Sequence, residues 1–156
     1  MTALDVFRRC AAADREIEGL KEKIERREAL ATGRTARPLS PDGGGRGSGD
    51  ASMRLVDYVA NIEELRAKLV AREAQKKSDM ACAIYLAEGM PPSPPYGRIL
   101  ISAYVDRMSL KAIAEEMNYS QTQARRLKQQ AEEMAANLVI TYWDGNHVPL
   151  TVYRQR

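Results

Sequence analysis

The stretch that most constrains this chain is Ser109–Leu127, SLKAIAEEMNYSQTQARRL, which reads as two short helices joined by a tight turn. Ser109 is placed to cap a first helix whose Ile113, Ala114 and Met117 fall on one face at i, i+1 and i+4 spacing. Asn118 stands where the chain must reverse. Asn tolerates the left-handed backbone that helix C-termini often require, and only Gly does so more readily. Ser120 is placed to cap a second helix, and Gln123 three residues on completes a capping box.

The second helix carries Gln121, Thr122, Gln123, Arg125, Arg126, Lys128 and Gln129, with no acidic residue from Asn118 through Ala131. An ordinary solvated helix face usually mixes acids with bases, whereas this one holds amides, a hydroxyl and cations only. A helix that enters the major groove of DNA needs such groups, because Gln pairs with adenine, Arg pairs with guanine, and both reach phosphates. The candidate DNA-contacting residues are therefore Ser120, Gln121, Thr122, Gln123, Arg125, Arg126, Lys128 and Gln129. The competing reading of the same residues is a plain solvated face.

Upstream, Leu4 to Ala31 reads as a long amphipathic helix with Phe7, Cys10, Ile17, Leu20 and Ile24 recurring at steps of three, four or seven, and Gly33 as its stop. Residues 34–51 (RTARPLSPDGGGRGSGDA) hold Pro, Gly, Ser and charge with almost nothing to bury, which predicts a flexible linker. A second long helix is expected from near Ser52, with a stripe of Val56, Val59, Ile62, Leu69, Met80 and Ile84 and Leu65 near the seam. Two such helices joined by a loose loop predict an antiparallel helical hairpin. The stripe leaves closure within one chain and pairing with a second copy both open. Pro91, Pro92, Pro94 and Pro95 end the helix and form a short stiff spacer. From Tyr96 a further helix carries Ile99, Leu100, Ala103 and Tyr104 as the base beneath the two short helices. In the tail, VITYW and VPLTVY flank Asp144-Gly145-Asn146 and predict a small terminal β-hairpin with an edge strand at Pro149. Trp143 and Tyr153 are expected to pack on the helical core or to face a partner.

The chain's 156 residues, 44% apolar, support a modest core and not a large enzyme fold. Its formal charge of +3 permits nucleic-acid binding without arguing for it. Cys10 and Cys82 suggest two buried free thiols. With no signal peptide and no apolar run of transmembrane length, the sequence reads as a soluble, cytoplasmic protein with no membrane partner. His147 is the single histidine and falls in the proposed turn, so no metal site and no nucleophile–base pair can be assembled from visible spacings. GGGRGSG has no strand before it and fails as a phosphate-binding loop. Glu63-Glu64, Glu115-Glu116 and Glu132-Glu133 read as solvated helix faces. No catalytic residue and no cofactor is expected, and the chain does not read as an enzyme.

The segment from about Tyr96 to Met134, ILISAYVDRMSLKAIAEEMNYSQTQARRLKQQAEEM, resembles region 4 of sigma-70-type transcription factors. The layout as a whole, a long helical pair around a Gly-rich gap with this module at the end, is similar to a sigma-region-4-like family of phage and prophage proteins of Gram-positive bacteria. The match covers roughly a quarter of the chain. It implies that Gln121, Thr122, Gln123, Arg125, Arg126 and Lys128 approach a promoter, and that Ala112, Ile113, Met117, Ala124 and Leu127 occupy core positions. Three residues depart from the pattern: Arg107 replaces a small residue, Asn118 replaces the usual Gly, and Ala124 is smaller than the branched residue normally packed there. No counterpart of the sigma domain that melts DNA is present.

These readings converge on an all-α chain: a long antiparallel helical hairpin over residues 1–90, a helix-turn-helix over 96–137 and a hairpin-like tail over 138–156. The expected function is sequence-specific DNA-binding regulation of phage or prophage transcription. The expected partners are double-stranded DNA, RNA polymerase and a second copy held through the N-terminal helices. Two rivals fit the same pattern. Small terminase subunits of DNA-packaging machines also join a helix-turn-helix to helical oligomerisation segments, and a coiled-coil interaction protein could retain the module without binding DNA.

Overall fold

A computed structural model of the chain describes residues 1–35, 48–143 and 150–153, and these are mostly helical. The elements are α1 (Ala3–Thr35), α2 (Ser48–Glu88), α3 (Tyr96–Leu100), α4 (Leu110–Glu116), α5 (Gln121–Asn137), β1 (Leu138–Tyr142) and β2 (Leu150–Tyr153). They group into two compact units, Arg15–Glu73 and the combination of Met1–Asp14 with Ala74–Arg156. This grouping cuts the chain differently from the composition-based division at residues 90 and 96. The start of α1 and the end of α2 share a core with Leu100 and with residues of α5 and β1.

Both long helices reach further than the sequence suggests. Thr2 and Asp5 form a reciprocal cap at the start of α1: the Asp5 carboxylate accepts from the Thr2 N–H at 2.8 Å, and the Thr2 hydroxyl accepts from the Asp5 N–H at 3.3 Å. At its other end α1 continues through Gly33 to Thr35, and α2 already starts at Ser48 and not near Ser52. Gly in a helix costs only about 1 kcal/mol relative to Ala, too little to act as a reliable stop. The rest of the expected linker, residues 36–47, lies outside the described residues. So do the Asp144-Gly145-Asn146 turn, His147 and Pro149.

In the Arg15–Glu73 unit, α1 and α2 run antiparallel. Glu28 meets Arg66 at 2.6 Å and Glu16 meets Arg72 at 2.5 Å, while Arg27 lies 5.9 Å from the centre of the Tyr58 ring. Ile17, Ile24 and Ile62 form the buried seam, with Leu65 and Leu69 half-buried beside it. The expected stripe is corrected here. Val56 is 65% exposed and Val59 47% exposed, and Val70 lies exposed with them. At about 100° per residue, Val59 and Val70 sit about a quarter-turn from the Ile62–Leu65–Leu69 line, and Val56 nearer a half-turn. Two helices alone can cover only a narrow strip of each other.

In the larger unit the core gathers Val6, Phe7 and Cys10 from α1, Cys82, Ala83 and Leu86 from α2, Leu100 from α3, Ala131 and Ala135 from α5, and Leu138 and Ile140 from β1. Both cysteines are free thiols, and burial pushes the Cys82 thiol up to about 11. Ile84, expected on the inner face of α2, is 43% exposed, because this part of the helix turns Cys82, Ala83 and Leu86 inward instead. The fully buried Asp79 carboxylate is paired with the half-exposed Arg9 at 2.7 Å and accepts from the Gln75 amide at 3.0 Å.

Gly97 fixes where α3 crosses α2. A Cβ there would lie 2.2 Å from the Ala87 carbonyl oxygen, so only a glycine lets the two backbones come this close. α3 then continues as a π-helical turn over Ile101–Val105, closed by the Asp106 N–H donating to the Ile101 carbonyl at 3.0 Å. Past α5, β1 pairs antiparallel with β2, with Val139 opposite Val152 and an irregularity between Ile140 and Tyr142. On its other side β1 meets the chain's first residues: Thr2 bridges to Val139, and the Ile140 N–H donates to the Met1 carbonyl at 2.9 Å. Trp143 packs against α2, its indole N–H donating to the Ser78 hydroxyl at 3.2 Å and its ring 6.2 Å from that of Tyr85. The side chain of Tyr153 lies outside the described residues. No helix among the described residues is long and apolar enough to cross a membrane.

Candidate nucleic-acid interface

The geometry that presents α5 is built from three local devices. The Ser109 hydroxyl accepts from the Ala112 N–H at 3.2 Å and starts α4. α4 ends with Asn118 at φ 55°, the Asn118 N–H donating to the Glu115 carbonyl at 3.3 Å and the Tyr119 N–H to the Ala114 carbonyl at 2.9 Å. That pair of bonds is a Schellman closure, and Asn118 holds its left-handed position. The Ser120 hydroxyl then accepts from the Gln123 N–H at 3.2 Å, and the Gln123 side-chain carbonyl accepts from the Ser120 N–H at 3.0 Å. Both α5 N-terminal donors are satisfied reciprocally. Ile113, Ala114 and Ala124 are buried, as is Ile99 of α3, whereas Ala112, Met117 and Leu127 are half-buried.

Arg107, the first departure from the sigma-type pattern, also lies in the left-handed region, at φ 56°, and reaches Asp14 at 3.5 Å. Lys76 is the closer partner of Asp14 at 2.6 Å, and its hydrogen bond holds that carboxyl below the usual carboxylate range.

The eight candidate residues divide by what their side chains already do. Ser120 and Gln123 are exposed but serve the capping box, leaving the Gln123 amide group to face outward. Lys128 is half-buried, paired with Glu132 at 3.2 Å and lying 5.3 Å from the centre of the Tyr104 ring. The Tyr104 hydroxyl donates to Glu132 at 2.7 Å, and burial followed by this carboxylate pushes the phenol up to about 12. Lys128 is therefore held in a small anchored cluster. The Gln129 amide donates to Glu133 at 3.1 Å. Gln121, Thr122, Arg125 and Arg126 are exposed and make no side-chain hydrogen bond or ion pair among the described residues. By contrast the other cations near this surface are engaged, Arg98 with Glu116 at 2.7 Å and Lys111 with Glu115 at 3.8 Å.

Two features of the site were not readable from spacing alone. The Tyr104–Glu132–Lys128 cluster joins α5 to the π-helical turn, and only its i, i+4 half from Lys128 to Glu132 is visible in the sequence. The second is an open groove of about 320 Å³ beside the first turns of α5, walled by Pro94, Pro95 and Leu127 and edged by Ser93, Tyr119, Gln123 and Arg126. Among the described residues, no cluster of His, Cys, Asp and Glu is arranged to hold a metal ion. No protein-family model, no curated protein and no solved structure matches this chain.

Proposed function

We propose that this chain binds double-stranded DNA through α5 and acts as a sequence-specific transcriptional regulator of the sigma-region-4-like, phage or prophage kind, with α4, the Asn118 turn and α5 as its helix-turn-helix. The observation that carries the reading is the outer face of α5. Two arginines, Arg125 and Arg126, with Gln121 and Thr122 beside them, stand exposed without side-chain partners among the described residues, and no acid interrupts them from Asn118 to Ala131. Exposed cations with no acidic neighbour leave a positive potential on that face, which the phosphates of a polyanion neutralise with release of condensed counterions.

The Arg15–Glu73 unit supports a second chain as partner. Leu30, Val56, Val59 and Val70 expose an apolar surface that one helical hairpin leaves uncovered. Pairing two copies there sets two α5 helices on two half-sites of one operator, which multiplies affinity by about 10²–10⁴ over a single module. RNA polymerase is the other occupant that the sigma-type resemblance implies.

The test is selection of bound duplexes from a random-sequence pool, followed by titration of the winner against its scrambled version, with the mass of the chain in solution measured alongside. A preferred motif with at least about tenfold discrimination supports the reading. Uniform weak binding at low salt, or none, refutes it. A ring of more than about six chains would shift the reading to a DNA-packaging subunit.

A further inference from the structure

We propose that the groove between the Ser93–Pro95 turn and the first turns of α5 seats one sugar–phosphate strand of the duplex, and that Arg126 is a backbone-binding residue while Arg125 reads bases. This rests on the DNA-binding reading above and assigns a role to the proline run, which that reading leaves unused.

The groove has the chemistry of a polyanion track. Its volume is about 320 Å³, and its polar edge consists of donors: the Ser93 and Tyr119 hydroxyls, the Gln123 amide and the Arg126 guanidinium. No carboxylate lines it. The Gln123 carbonyl oxygen is already taken by the Ser120 N–H at 3.0 Å, so the amide group that remains is a donor only. Arg126 has no ion-pair partner among the described residues, and its charge is uncompensated at the mouth of the groove. The walls, Pro94, Pro95 and Leu127, offer apolar surface of the kind on which a deoxyribose ring rests, and prolines bring no backbone donor of their own.

Helical geometry separates the two arginines. Successive residues turn by about 100°, so Arg126 points away from Arg125 and toward the side of α5 that carries Gln123. Arg125 lies on the side of Gln121. A helix laid in the major groove with Gln121, Thr122 and Arg125 toward the base edges has a phosphate strand on its flank, and the flank here is the groove. Continuity with the α5 face and the uncompensated charge at its edge favour the strand over any small ligand.

The experiment uses the full chain with a duplex recovered by selection and its scrambled counterpart, each titrated from about 50 to 200 mM salt. Arg126→Ala should weaken binding to both duplexes by the same factor and reduce the slope of log K against log salt by about 0.9, the signature of one lost phosphate contact. Ser93→Asp, which places a negative charge at the groove edge, should weaken both duplexes equally as well. Arg125→Ala should instead narrow the gap between the two duplexes by about tenfold or more. All three positions are exposed, and circular dichroism melts establish that the variants remain folded. An Arg126→Ala slope equal to that of the native chain, or a loss confined to the selected duplex, overturns the groove proposal while leaving DNA binding intact. A native chain that binds neither duplex overturns both readings.

Discussion

The Arg9–Asp79 pair offers a quantitative test of how the larger unit is held together. Asp79 is fully buried, whereas the Arg9 side chain keeps 41% of its exposure, so the two ends of one ion pair sit in different dielectrics. Removing Arg9 takes the cation from a carboxylate buried in the core, an event that costs about 3–5 kcal/mol. The Gln75 amide still donates to Asp79 at 3.0 Å, which places the expected cost of Arg9→Met near the lower end, about 3 kcal/mol. Asp79→Asn removes the buried charge and keeps an acceptor for Arg9, which turns to water. Its expected cost is about 1 kcal/mol, the difference between a charge-assisted and a neutral hydrogen bond. The double variant has no buried charge, so it should cost less than the sum by about 2 kcal/mol, within the range seen for directly coupled residues. Trp143 is the single tryptophan and packs on α2 within this unit, so its fluorescence during urea unfolding at pH 7 reads the relevant transition. Asp79→Asn proving as damaging as Arg9→Met, or strict additivity in the double variant, would refute the argument that desolvation of one partner dominates.

Three further outcomes follow from the same core. Gly97→Ala should cost about 2–3 kcal/mol in the Trp143 melt, since its Cβ would fall 2.2 Å from the Ala87 carbonyl oxygen and 2.9 Å from its Cα, and two backbones must move apart to admit it. The Asp14 carboxyl is held low chiefly by the Lys76 hydrogen bond, so it adds stability above the usual carboxylate range that is lost as pH falls through its folded value. Lys76→Met should therefore flatten the loss of stability below about pH 4 relative to the native chain. A fragment beginning at Tyr96 should show little helical signal by circular dichroism, because Leu100, Ala131, Ala135, Leu138 and Ile140 would lose Val6, Phe7, Cys82 and Leu86 as neighbours. A cooperative melt from that fragment would show that these contacts are dispensable.

What could be read from the sequence was whatever local chemistry decides. Ser109, Asn118 and Ser120 each act through bonds within three to five residues, so their caps and the turn between them follow from residue type and spacing. Mostly helical architecture followed from apolar periodicity in the same way. The register of α2 did not, because Val56, Val59, Ile62 and Ile84 are all apolar and only the position of α1 selects which of them are covered. Asp79 was equally silent: a carboxylate in a charged stretch of helix looks solvated until Arg9, seventy residues away, is found beside it. The candidate site divides along the same line. Sequence nominates Lys128 and Gln129 alongside Arg125 and Arg126, but the partners that engage the first two become evident only when Tyr104, Glu132 and Glu133 are placed in space.

On the DNA-binding reading, α5 does two jobs along its length. Its second half is structural: Ala131 and Ala135 are fully buried in the core shared with Phe7 and Leu86, and small residues there let the helix lie close to its neighbours. Its first half, from Gln121 to Gln129, has only Ala124 fully buried and is otherwise turned outward or half-covered. Glu132 and Glu133 stand at the border. One binds Tyr104 and Lys128, the other Gln129. On the DNA-binding reading those acids limit the usable surface to about the first nine residues, some 13 Å at 1.5 Å per residue, close to the width of one major groove. On that reading, a rear half anchored in the core positions the exposed Gln121, Thr122, Arg125 and Arg126 before the polyanion arrives.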